Sequence, residues 1–154
     1  MKYTDSKNDL IKEDVIKKCP IDFHAINKLV GRANIDIKTA ERNLKDDEEC
    51  AYNYAYNAML RSGLALMFSE GYRPKIKGKH LTVIRFTSSV LGVKFKKVIN
   101  SYDIMRRKRH RFIYEPDLPC SKKEAEESLI IAKNFVKIIQ KSIKKRNPQE
   151  EFDF

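Results

Sequence analysis

The chain has 154 residues, 42% hydrophobic and 34% charged, and a chain of that length folds as one domain burying roughly 68 to 70% of its unfolded surface. Its formal net charge of +11, from 32 Lys and Arg against 21 Asp and Glu, points to a polyanionic partner, nucleic acid first, because each neutralised phosphate releases counterion. No apolar run approaches the roughly 18 residues of a membrane span, and tryptophan is absent, so a membrane-surface role is not expected. Cys19, Cys50 and Cys120 are odd in number and lack the close pairs that metal sites use, and they are read as reduced thiols. Neither a metal nor a cofactor is expected. The first residues, Met-Lys-Tyr-Thr-Asp-Ser-Lys, lack the apolar core of a signal peptide, so a cytoplasmic protein is expected.

Residues 1–20 read as a lysine-rich extension in which Leu10, Ile11, Val15 and Ile16 predict a short amphipathic helix ended by Cys19-Pro20. Residues 21–145 form the main domain. From Ile21 to about Lys45, Ile26, Leu29, Val30, Ala33, Ile37, Ala40 and Leu44 recur at three- and four-residue steps, the signature of one helix face. Asp46 to Glu49 place acid ahead of a second helix, where its dipole favours negative charge. That helix carries Ala51, Tyr52, Ala55, Ala58, Met59, Ser62, Ala65, Leu66 and Ser69, small residues that admit a close neighbour. Tyr52, Tyr54 and Tyr56 alternate within it and cannot all point inward.

Gly71 to Gly78 reads as a basic loop, opposed to helix by two glycines and a proline. Lys79 to Leu91 predicts a shorter helix, with a strand over residues 82–87 as the competing reading. Residues 93–113 resume helical spacing through Phe95, Val98, Ile99, Tyr102 and Met105. Glu115 to Pro119 breaks that helix. Ser121-Lys122-Lys123-Glu124 is a capping-box start, followed by a last helix with Ala125, Leu129, Ala132, Phe135, Val136, Ile139 and Ile143 on its apolar face. Residues 146–154 read as a frayed, charged tail. The fold class expected is all-α, an antiparallel up-and-down bundle of four to five helices.

The stretch with most chemistry is Ile104 to Glu115, in which Arg106 to Arg111 are all basic or titratable. On a helix Arg106, Arg109 and His110 share one face, with Ile113 or Tyr114 a turn further on. Such a face grips phosphate, and Arg106, Arg107, Lys108 and Arg111 are candidate nucleic-acid contacts. The competing reading is a solvated basic helix face. His80 reads as a helix-start residue, and His24 belongs to no constellation.

Over roughly residues 22 to 143 the chain resembles the HEPN superfamily of helical domains found in toxin, antitoxin and RNA-processing proteins. The resemblance rests on the long first helix, the run Ala51 to Ala58, Gly78-Lys79-His80, and above all Arg109-His110-x3-Tyr114, which is similar to the family's Arg-polar-x3-His signature. Tyr114 stands where the family histidine stands. The resemblance implies a metal-independent ribonuclease, usually a homodimer whose two motifs share a cleft. Such cleavage needs a base for the 2′-hydroxyl, an acid for the leaving oxygen and a cation for the phosphorane. Arg109 suits the cation, His110 the base, since imidazole titrates near neutrality, and Tyr114 the acid or a positioning donor. The alternative is a non-catalytic module partnering a small nucleotidyltransferase in a two-component system, and a third reading is plain RNA or DNA binding.

Overall fold

The computed structural model describes residues 5–154. Helix α1 (Lys7–Lys12) leads into strand β1 (Ile16–Lys18), then α2 (Phe23–Asn43) and α3 (Glu48–Ser69). Strand β2 (Tyr72–Pro74) follows, then α4 (Lys79–Leu91), a 3-10 turn (Val93–Phe95), α5 (Lys96–Tyr114) and α6 (Lys122–Arg146). The result is the all-α bundle the spacing predicts, of five long helices with a small two-stranded sheet at its edge.

Helices α2, α3 and α6 begin where the sequence supplies a side-chain acceptor for the free amides of the first turn. Asp22 accepts from the Ala25 amide at 3.2 Å and Asp47 from the Cys50 amide at 2.9 Å. Ser121 and Glu124 close the expected capping box, with reciprocal bonds of 3.1 and 3.3 Å. Residues 82–87 are helical, within α4. Their β-branched residues pack Val83 and Ile84 into the core, so tertiary burial overrides local strand preference.

Three expectations give way. The amphipathic helix placed over Leu10 to Ile16 stops at Lys12, because Asp14 takes a left-handed conformation at φ 60° that ends the helix. Ile16 to Lys18 then pair antiparallel with Pro74 to Tyr72, so the basic loop after α3 contributes a strand. The chain continues that pairing on either side, with Cys19 N–H donating to Gly71 O and Lys75 N–H to Val15 O, both at 2.9 Å. Residues 1–4 of the expected extension lie outside the described residues. The rest of it is docked: Leu10 and Ile16 are buried against Met67, Val83 and Phe86, and Arg85 bonds both Asp5, at 2.7 and 2.9 Å, and Glu13, at 2.6 and 2.9 Å. The tail is docked too. Phe152 meets Phe23 edge-on with ring centroids 5.8 Å apart, and the Asp153 amide donates to Asn27 Oδ1 at 3.0 Å.

Helix α3 is the central rod, packed by α2, α4, α5 and α6. Its small residues make this possible. At Gly63 a Cβ would stand 2.5 Å from Val83 Cγ1 and 3.3 Å from Thr87 Oγ1, a contact no real side chain tolerates. Both neighbours are buried and branched at Cβ, so neither swings aside cheaply. Gly63→Ala is therefore expected to cost about 1 to 3 kcal/mol from overpacking. Gly31→Ala in α2, with nothing within 4 Å of the added carbon, should gain roughly 0.5 to 1 kcal/mol from helix propensity. Denaturant midpoints of the two variants, moving in opposite directions, check both claims.

Candidate functional site

The last three turns of α5 lie across α3 and the start of α4, and they distribute the basic run unevenly. Asp103, buried on α5, accepts from Arg106 Nε and Nη2 at 3.0 and 2.9 Å and pairs with Arg107 at 3.2 Å. Lys108 pairs with Glu124 of α6, and Arg111 with Glu115 at 3.1 Å. The Arg107 and Arg111 side chains remain about half exposed, at 54% and 56%, so their pairs are weak and exchangeable for phosphate. Arg109 differs. Among the described residues it is the one Lys or Arg of the run with no acidic partner.

Arg109 instead lays its guanidinium over the Tyr56 ring, Cζ lying 5.3 Å from the centroid, a cation–π arrangement that fixes the group without cancelling its charge. Its Nε is buried and makes no hydrogen bond. Tyr56 is fully buried, edge-on to Tyr102 at 5.8 Å, and its hydroxyl shares a hydrogen bond of 2.8 Å with His80 Nδ1. The two rings also stack, 5.7 Å apart and 24° from parallel. Gly78, left-handed at φ 68°, turns the chain into α4 and so sets His80 in its first turn.

Burial, followed by the nearby cations Arg109, Lys79 and Arg106, holds the His80 imidazole below its ordinary pKa. Burial also pushes the Tyr56 phenol well above its own. At neutral pH the pair is thus a neutral imidazole and an intact phenol sharing one hydrogen bond. A positive guanidinium lies over that phenol.

His110 and Tyr114 come together as their i, i+4 spacing predicts, with ring centroids 4.5 Å apart. They face solvent, Tyr114 being 70% exposed. Helical rotation sets Arg109 and Tyr114 about 140° apart around the axis. The structure therefore brings Arg109 to Tyr56 and His80, and His110 to Tyr114, as two neighbouring groups on opposite sides of one helix end. Arg106 lies with the inner group, whose electrostatics it shares.

Tyr56 and His80 are the site residues that spacing alone did not assign. Tyr52 and Tyr56, four residues apart, are buried on one face while Tyr54 is only partly buried. The interleaved tyrosines therefore did carry a signal, though not which of them would meet an arginine. The described residues contain no group of three or more His, Cys, Asp or Glu placed to hold a metal ion. No helix among them is long and apolar enough to cross a membrane.

Residues 26–143 match a family model described as HEPN domain. The chain belongs to the HEPN family. No curated protein and no solved structure matches it. In this HEPN protein the matched span begins inside α2 and ends inside α6, so Arg109, His110, Tyr114, Tyr56 and His80 all fall within it.

Because a positive charge at Arg109 is one cause of the lowered His80 pKa, Arg109→Gln should move that pKa upward, towards the roughly 6.5 of free imidazole. NMR titration of the His80 ring protons reads the shift. Proton linkage fixes the companion effect: with the folded pKa below the unfolded one, wild-type stability from this group is present above pH about 6.5 and lost as pH falls beneath it. The substitution should flatten that acid limb.

Proposed function

We propose that this HEPN protein binds RNA at the C-terminal half of α5 and cleaves it without a metal ion. The observation that carries the reading is the state of Arg109: a guanidinium held on an aromatic ring, beside neutralised neighbours, with its charge uncompensated by any acid among the described residues. That is the arrangement an anion-binding cation needs, since its own field is not spent on a carboxylate.

In the proposed reaction the 2′-oxygen of one nucleotide gives its proton to the His110 imidazole and attacks the adjacent phosphorus. Because Arg109 and the His110–Tyr114 pair lie on opposite sides of their helix end, the Arg109 that holds the charge on the phosphorane oxygens is that of the facing copy in the homodimer. The bond from phosphorus to the 5′-oxygen breaks, and that oxygen takes a proton from Tyr114 or a water it positions, leaving a 2′,3′-cyclic phosphate and a free 5′-hydroxyl. The His80–Tyr56 pair lies behind Arg109 and positions it. Arg107 and Arg111 supply further phosphate contacts by exchanging their acids, and Lys108 with the donors that Glu124 leaves free, while Arg106 stays on buried Asp103 and contributes its field. Ile113, 53% exposed, and Tyr114 form an apolar end to the helix, which supports a homodimer in which two such ends close one cleft.

The test is digestion of RNA in chelator. Wild-type protein should cleave, and Arg109→Ala should lower the rate by about 10²- to 10³-fold, the usual cost of losing one charge-stabilising donor. Tyr114→Phe should cost at least about 10²-fold if the phenol is the acid. RNA left intact by the wild-type protein under all ionic conditions would remove the ribonuclease assignment. A stable complex with a nucleotidyltransferase, together with intact RNA, would replace it with the non-catalytic reading.

A further inference from the structure

Strands β1 and β2 wall a groove of about 780 Å³ whose floor includes Leu29 of α2 and Leu64 and Phe68 of α3. Its polar lining is entirely cationic: Lys17, Arg73, Lys75 and Lys79. Lys75 is paired with Asp14. Lys17, Arg73 and Lys79 are exposed and form no ion pair among the described residues. The register makes this costly, because Lys17 stands directly opposite Arg73, and like charges directly opposed across antiparallel strands are destabilising. Two short strands with a repulsive central pair form a stable arrangement more readily when an anion sits between the charges.

We propose that this groove binds a stretch of single-stranded RNA beside the Arg109 site, with Lys17 and Arg73 on a backbone phosphate and an unstacked base against Phe68. This rests on the reading of the protein as RNA-binding. The occupant follows from the lining. A row of cations over an apolar and aromatic floor fits a chain that alternates phosphates with flat, apolar-faced bases, whereas a double helix offers no free base to such a floor. The groove is also contiguous with the site. Lys79 lines it, while His80, the next residue, bonds Tyr56 beneath Arg109, and consecutive Cα atoms are about 3.8 Å apart. Tyr56 and Leu64 lie on the same helix, eight residues apart, which is about 12 Å along its axis. One strand of a few nucleotides reaches from one to the other.

The experiment measures fluorescence-anisotropy binding of 2′-O-methyl RNA, which has no 2′-hydroxyl to attack the phosphorus, at lengths of about four and about twelve nucleotides. The wild-type protein should bind the longer strand much more tightly. Lys17→Gln/Arg73→Gln should leave four-nucleotide binding unchanged and weaken the longer strand roughly tenfold or more, with a salt slope shallower by about 0.7 for the one phosphate no longer neutralised. Its melting temperature without RNA should not fall, since the substitution removes a repulsion. A length advantage that survives the double substitution overturns the groove, as does competition by free adenosine monophosphate as effective as that by the longer strand. If the length advantage is lost as expected but unmodified RNA is never cleaved, the groove stands and the ribonuclease reading fails. If the short strand binds through Arg109 without any gain from length, the site stands and the groove fails.

Discussion

Helix α3 is covered by four other helices, and what allows this is the sparseness of its own side chains. Ala51, Ala55, Ala58, Ser62, Gly63 and Ala65 present almost no volume to their neighbours, so the surrounding rods approach closely enough to bury Met59, Leu66 and the ring of Tyr56 completely. The closeness has a chemical consequence. Val83 lies almost against the Gly63 backbone, which seats the first turn of α4, and hence His80, within hydrogen-bonding distance of Tyr56. A helix of ordinary bulk in place of α3 would hold α4 further out and separate the imidazole from the phenol. The site is therefore a product of core packing before it is a product of charge.

Charge is arranged on this scaffold by subtraction. The chain carries a large positive excess, yet in the densest basic run the acids Asp103, Glu124 and Glu115 are each assigned to particular cations. Asp103 takes two because it is buried, and a buried carboxylate is tolerable only with its charge fully met. Arg109 is left over, and Tyr56 offers it a ring face where the others have a carboxylate. Cation–π attraction is worth about 0.5 to 2 kcal/mol, enough to orient a guanidinium without neutralising it. A carboxylate in that place would have quenched the field that a phosphate meets.

Much of the bundle was legible because apolar spacing is set by the same geometry that packs the helices. Every residue assigned in advance to the inner faces of α3 and α6 is buried, and the capping acceptors of the last helix sit where the sequence placed them. What was not legible depended on partners distant in sequence. Three residues, Ile16 to Lys18, are strand only because Tyr72 to Pro74 lie beside them; their own pattern is equally that of a helix. Phe152 packs on Phe23 and the Asp153 amide bonds Asn27, and no local signal in a charged tail says so. The site divides the same way. His110 and Tyr114, one helical turn apart, were predictable neighbours, whereas Arg109 over Tyr56 joins residues 53 positions apart on two helices.

The two groups at the end of α5 have opposite physical characters, and their difference constrains how chemistry would proceed there. The inner group is preorganised: Arg109, Tyr56 and His80 are locked by stacking, a hydrogen bond and burial, and its imidazole is kept neutral by its surroundings. The outer group is not, for Tyr114 is mostly in water and touches His110 as a ring contact. Proton transfer requires groups held to roughly half an ångström in a site with little water. On the proposed reading an isolated chain supplies the fixed cation and leaves its acid and base free to move. Completing the site then needs a surface that covers Ile113 and Tyr114, and burial of those two side chains would itself contribute to holding that surface in place. Catalysis and association become one requirement, since the contact that dries the outer group also orients it.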